Sequence, residues 1–258
     1  MPDIDLLTLV LLLLAGLTAG WVDAVVGGGG LIQLPALLLV SGLSPVQALA
    51  TNKVGSIMGT STSAITYARR VKPDFTTAGP LALAALVGAV GGAALASHIP
   101  ASAFKPIILV VLVAVAVYTI VKPSLGEHTR LRWEGNGHRW AAAVIGLVIG
   151  FYDGVLGPGT GTFLVITLVS ALGYAFLPAS ALAKIANFAT NLGALIFFVP
   201  AGHVVWPLGL AMGAANLVGG YVGARMAVAK GSRFVRVVFV VVVGVLICRL
   251  GYDVVTGA

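Results

Sequence analysis

Asp23-Ala24-Val25-Val26-Gly27-Gly28-Gly29-Gly30-Leu31, set beside Asp153-Gly154-Val155-Leu156-Gly157-Pro158-Gly159-Thr160-Gly161, decides the fold of this chain. Each stretch places a carboxylate in apolar sequence and then breaks the helix with glycine or proline, at an offset of 130 residues. Such breakers end a long helix, allow positive φ, and bring bare backbone against a neighbour. A lysine recurs with each of them: Lys53 lies 30 residues after Asp23, and Lys184 lies 31 after Asp153. Almost every other charge falls at a segment end or in a connection. A charge at bilayer depth is costly, so it faces a cavity or a partner and marks an ion or substrate path.

Composition sets the class. Of 258 residues, 59% are hydrophobic and only 9% charged, with a mean hydropathy of +1.06. A soluble domain carries roughly 25% charge. The chain has room for about eight to ten membrane segments and no sizeable soluble domain. The net charge of +7 comes from clusters at segment ends (Arg69, Arg70, Lys72; Arg130, Arg132; Lys230, Arg233, Arg236), as membrane orientation requires, and not from a nucleic-acid surface. One cysteine, Cys248, excludes an internal disulfide. Asp3 and Asp5 stand where a secretory signal would be basic, and the apolar run continues past signal length.

Ten apolar runs follow: 4–22, 31–41, 45–68, 77–97 and 104–121, then 139–156, 162–172, 178–199, 204–226 and 233–253. This predicts an all-α integral membrane protein with repeats over 1–121 and 139–258, joined by a polar cytoplasmic loop over 122–138. Runs 31–41 and 162–172 cover only about 16 Å as helix against a hydrocarbon core of about 30 Å, so each is read as a half-helix. Interrupted segments at matching places in two halves point to a transporter binding site. Five crossings per half put every strongly basic loop on one face, which predicts inverted repeats with both termini outside; Arg249 is the exception.

Helical spacing sorts the polar residues. Lys184, Asn187 and Asn191 share one face; Lys53, Ser56 and Thr60 make the matching stripe, with Asn52 beside it. A compact cation with neutral N–H and O–H donors suits an oxyanion. The half-helices that begin at the breaks offer free N–H groups and a positive dipole end. Gly28, Gly29, Gly30, Gly159, Thr160 and Gly161 supply that backbone, with Gln33, Thr160 and Thr162 as side-chain donors. Asp23 and Asp153 are candidate proton carriers. The alternative reading makes Asp23–Lys53 and Asp153–Lys184 structural ion pairs. Gly91, Gly92, Gly219, Gly220 and Gly223 read as packing positions.

Enzymatic readings fail on pattern. Ser61 and Ser63 have no histidine placed to activate them, four histidines and one cysteine are scattered too widely for a metal, and no Gly-Lys-Ser/Thr follows residues 27–30. No cofactor is expected.

At these residues the chain resembles the sulfite exporter TauE/SafE family, also called the toluene-sulfonate uptake permease family. The resemblance rests on Asp23 with the 27–30 glycines, Ala50-Thr51-Asn52-Lys53, Lys184 with Asn187 and Thr190-Asn191-Leu192-Gly193, and Gly219-Gly220 with Gly223-Ala224-Arg225. It implies a bacterial inner-membrane transporter of sulfite, sulfoacetate or other sulfur oxyanions, working by alternating access. Pro158 replaces the glycine found at Gly28, and Ala183 the asparagine found at Asn52, so the half-sites are not chemically equal. Two alternatives stand beside it: a cation- or proton-coupled transporter of another solute with Asp23 and Asp153 as ligands, and a channel or assembly component. The expected partners are a small anion and the lipid bilayer, with a homo-oligomer left open.

Overall fold

Caps and breakers fix where the helices begin and end. In the computed structural model, residues 5–40, 42–100 and 128–256 are described, and run 104–121 lies outside them. Asp5 caps α1 (Leu6–Val26), accepting from the Thr8 N–H, and α1 stops at Gly27 in the left-handed region. The half-helix α2 (Gly30–Leu38) follows at once. Ser44 and Gln47 form a capping box at the start of α3 (Pro45–Val71), with Pro45 as its first residue. Asp74 caps α4 (Phe75–Ala96).

The second half repeats this order. α5 (Gly135–Val155) runs into the second break, and α6 (Thr160–Thr167) continues as a π turn over Leu168–Leu172. α7 (Phe176–Phe198) is the counterpart of α3, and α8 (Trp206–Thr256) follows it as α4 follows α3. Within α8, Gly231 has φ 73° and ψ −172°, so runs 204–226 and 233–253 are separate helices meeting at that residue. α5 begins at Gly135, and His138 is buried in its first turn.

Among the described residues there is no strand, and the protein is an all-helical integral membrane protein. α1, α4 and α7 are each long and apolar enough to cross a bilayer. Large apolar side chains face outward along them, among them Leu7, Leu11 and Leu14 on α1 and Leu83 and Val87 on α4.

Packing exchanges helices between the halves. α4 of the first half packs chiefly on α5 and α7 of the second; α8 of the second packs chiefly on α1 and α3 of the first. Small residues make this possible. Gly146, Gly150 and Gly154 present bare backbone to the Leu81, Ala85 and Ala89 carbonyls, and Gly219 and Gly223 do the same to Leu17 and Trp21. A Cβ at any of them would overlap backbone, which is how small-residue stripes let membrane helices approach. Two apolar cores result, one around Tyr67, Leu164, Leu168 and Leu182, the other around Leu34, Leu37, Leu49 and Phe198.

Loops at the basic end are tied by a polar chain. Thr77 Oγ1 donates to Asp74 Oδ2 at 2.7 Å, and lies 3.1 Å from the Tyr174 hydroxyl. That hydroxyl in turn lies 3.1 Å from His138 Nε2. Partial burial pushes the Asp74 carboxyl up. Hydrogen bonds from the Thr76 and Thr77 hydroxyls and the Thr76 N–H, with His138 nearby, outweigh that and hold it below its ordinary value. A lowered carboxyl stabilises the fold above the unfolded-state pKa and loses that contribution as pH falls through the folded-state one. Asp74→Ala should therefore cost about 1 kcal/mol at neutral pH, as loss of a helix cap does. The gap to the unaltered protein should close below about pH 4. Thermal unfolding in detergent across that range checks it; a gap that persists in acid would refute it.

Candidate functional site

The two glycine breaks cross and touch. The Thr162 N–H donates to Gly27 O at 3.1 Å, and Thr162 Oγ1 donates to Val26 O at 3.1 Å. A Cβ on Gly27 would overlap the Gly161 backbone, and one on Gly161 would overlap Gly27. Gly27, at φ 83°, therefore needs glycine for its conformation and its close approach alike. Pro158 lies against Gly30 on the far side of the crossing. Tyr152 buttresses the second break by donating to Pro158 O.

Around this crossing each lysine binds the other half's aspartate. Lys53 Nζ donates to Asp153 O at 2.7 Å and lies 2.8 Å from Asp153 Oδ2. Lys184 Nζ lies 2.9 Å from Asp23 Oδ2 and also donates to Asp23 O. The pairings Asp23–Lys53 and Asp153–Lys184 of the alternative reading are thus corrected: the ion pairs run between the halves. The reason is geometric. α1 and α5 end just past their aspartates, which leaves carbonyls without intrahelical partners and a negative dipole end. α7 brings Lys184 to the end of α1, and α3 brings Lys53 to the end of α5. Each ammonium meets a carboxylate and a helix-end carbonyl together, although the Asp23 carbonyl also accepts from the Gly27 N–H at 2.8 Å. Tyr67 serves the same end of α1, donating to Ala24 O at 2.9 Å.

Both lysines are almost wholly buried, at 1% and 0% exposure. Asp153 Oδ1 takes a second bond from Thr160 Oγ1 at 2.5 Å. Removing one partner of such a pair leaves an uncompensated buried charge.

A small polar cavity of about 10 Å³ opens at the crossing, the space of a single water. Its wall includes Asn52, Lys53, Ser56, Asn187 and Asn191 from the two lysine stripes, with Asp23 and Asp153. Gly30, Thr160 and Gly161 reach it from the half-helix starts, where N–H groups lack intrahelical partners. Gly27 and Gly157 also line it. Neither is among the expected binding residues, although both stand in the breaks themselves; the same signal could have found them.

Other expected site residues stand off the wall. Lys184 is behind Asp23, which covers its ammonium. Thr60 spends its hydroxyl on Ser56 O at 2.9 Å. Gly28, Gly29 and Gly159 precede the half-helices without lining the cavity. Gln33 is fully buried, accepting from Asn216 Nδ2 at 2.5 Å and donating to Asn52 O at 3.4 Å. That bond ties α2 to α3 and α8. Asn216 is the partner that sequence spacing left unassigned.

Side chains on the wall differ in how far they are engaged. Asn191 Nδ2 donates to Asn187 O at 2.8 Å, and Asn187 Oδ1 takes Thr190 and Asn191 at 3.3 and 3.4 Å. Asn52 Oδ1 is buried with no hydrogen-bond partner among the described residues. The wall therefore offers one ammonium, two carboxylates, carboxamides and a serine hydroxyl: groups for an oxyanion, a proton or a cation.

The ion pairs allow a direct test of their weight. Lys184→Met should destabilise the protein by roughly 3–5 kcal/mol, since Asp23 would be left charged and buried. Asp23→Asn combined with Lys184→Met should cost clearly less than the two single losses together. Unfolding temperatures of the four proteins in detergent give the coupling, and additive losses would show that the pair does not hold the fold.

Comparison with known proteins bears on the same arrangement. The family model described as Sulfite exporter TauE/SafE matches residues 12–250. A probable membrane transporter protein, ORF9 of Sinorhizobium sp, is 38% identical over 98% of this chain and 96% of its own. The probable membrane transporter protein YfcA of Escherichia coli (strain K12) is 33% identical over 96% of this chain and 91% of its own. A Haemophilus influenzae protein of the same description is 31% identical over 97% of each. No solved structure matches. The chain belongs to the sulfite exporter TauE/SafE family and is a membrane transporter.

Proposed function

We propose that this TauE/SafE-family transporter carries a sulfur-containing oxyanion, sulfite or an organosulfonate such as sulfoacetate, as a secondary transporter working by alternating access between inverted repeats. The observation that carries the reading is Lys53 on the cavity wall with Asn52, Ser56, Asn187 and Asn191. A compact ammonium with neutral donors fits a small tetrahedral or pyramidal oxyanion. Half-helix starts at Gly30 and Gly161 add backbone N–H groups aimed at negative charge. The family's description supplies the sulfur.

Charge balance then dictates the cycle. In the paired arrangement Asp153 already neutralises Lys53, and the cavity holds no more than a water. An oxyanion enters only if Asp153 gives up Lys53. A proton taken by Asp153 does this, leaving Lys53 to the incoming anion, and anion and proton then move together. Asp23 and Lys184 perform the equivalent exchange in the other half. Crossed glycine breaks serve as the hinge, because each half's pair holds the end of the other half's broken helix. The protein sits in the inner membrane with its basic loops cytoplasmic.

One observation favours a second reading. Asp23 lines the cavity with its side chain 12% exposed, while Lys184 behind it is closed off. The aspartates would then be ligands for a proton or other cation coupled to a different solute, and the lysines their structural partners.

Flux into proteoliposomes separates the two. Sulfite or sulfoacetate uptake should saturate, and Lys53→Gln and Lys184→Gln should each reduce it to background while the protein stays inserted. Asp153→Asn should leave anion exchange but abolish its dependence on a proton gradient. Intact anion transport in both lysine variants defeats the first reading. No sulfur-anion flux in the unaltered protein, with cation-driven uptake of another solute, establishes the second.

A further inference from the structure

α3 and α8 pack in parallel, and their side chains run level. Thr62 Oγ1 donates to Leu217 O and Ser63 Oγ to Gly220 O, each at 3.3 Å, which sets residue n of α3 beside n + 155 to n + 157 of α8. This register places Ile65 beside Tyr221 and Arg69 beside Arg225. Between them lies a cleft of about 280 Å³, lined by Thr66, Ile65, Arg69, Arg70, Tyr221 and Arg225 among others. It lies near the C-terminal end of α3, apart from the cavity at the glycine crossing; no residue lines both.

Its chemistry is graded along the helices. One level carries exposed apolar surface, Ile65 at 52% and Tyr221 at 45%, continuous with the outward-facing Val218 and Val222. The next carries three guanidinium groups. Arg225 Nη1 donates to the Tyr221 hydroxyl at 2.9 Å, and its guanidinium lies 5.4 Å from that ring's centre. Tyrosine thereby fixes Arg225 across the cleft mouth instead of letting it extend freely into solvent. Among the described residues, no carboxylate lies within salt-bridge distance of Arg69, Arg70 or Arg225. Three uncompensated cations at one level, above an apolar wall that faces the hydrocarbon, do not make a symmetric site for a soluble ion. They match an amphiphile with an anionic head.

We propose that this cleft binds the phosphate headgroup of an anionic phospholipid, with Arg69, Arg70 and Arg225 on the phosphate and an acyl chain along Ile65 and Tyr221. Guanidinium forks suit phosphate oxygens in pairs, and basic pockets between membrane helices hold anionic headgroups. The bound lipid bridges α3, which carries Lys53, to α8, which comes from the other half. The transport reading leaves Arg225 unused, and this site gives it a task.

The test is unfolding temperature in phosphatidylcholine nanodiscs, with and without phosphatidylglycerol. Phosphatidylglycerol should raise it for the unaltered protein, and Arg69→Gln with Arg225→Gln should remove at least half of that rise. Lys230→Gln, a cation of α8 outside the cleft, should keep the whole rise. Should the double variant fail to fold, Arg70→Gln alone reads the same loss, since that side chain makes no hydrogen bond among the described residues. An undiminished rise in the arginine variants, or an equal loss in Lys230→Gln, overturns the site. The same rise from inorganic phosphate in phosphatidylcholine alone overturns the lipid and leaves a free-anion site.

Discussion

Two ammonium groups, each holding the end of a broken helix that belongs to the other half of the chain, organise everything else in this protein. A helix that stops inside a membrane exposes carbonyls that neither lipid nor its own turns can satisfy. Lys184 and Lys53 add donors to carbonyls at the ends of α1 and α5, and the aspartates there neutralise the cations that do so. Neither half could bury its broken helix alone. The exchange of α4 and α8 between halves and the glycine stripes that let them approach follow from bringing those four residues together.

This arrangement bears on how a lysine can be both structural and functional. A buried ion pair adds little net stability over an apolar pair of the same shape, but breaking it from one side costs a great deal. A pair is therefore an expensive way to hold helices if holding is all it does. Under the proposed function its use lies in having two low-energy arrangements, one with the carboxylate as the partner and one with a guest anion in its place. Where Lys53 reaches the cavity wall beside Asp153, that replacement takes place at the wall itself. Where Lys184 sits behind Asp23, it requires the carboxylate to move first. The halves are thus unequal in the closed arrangement, in keeping with Pro158 and Ala183 departing from their counterparts.

Much of this was legible in the sequence, because the signals were of the kind that survive without coordinates. Breakers at matched offsets located the half-helices to within a few residues, and 3.6-residue spacing grouped Ser56 with Lys53, and Asn187 with Asn191, which line the cavity together while Lys184 does not. Partner choice was not legible. Lys53 stands closer in sequence to Asp23 than to Asp153, and only the crossing of α3 over the other half's break decides between them. Thr60 shows a second limit: a stripe position says which face a hydroxyl occupies, not that Ser56 O will claim it. Gln33 and Asn216 show a third, since two polar residues from distant segments are unremarkable singly and become a tie between α2 and α8 only in three dimensions.

Size closes the argument about what the crossing can do. A cavity with the volume of a single water has no room for sulfite, so under the proposed function a guest enters only as the crossing opens. The glycines that allow it are those in the breaks, where Gly27 and Gly161 touch with no side chain between them. Any motion that separates the end of α1 from α6 must undo the Thr162 bonds to Val26 O and Gly27 O. On the proposed cycle, opening also frees Lys53 from Asp153, and a guest that satisfies that cation lets the halves close again.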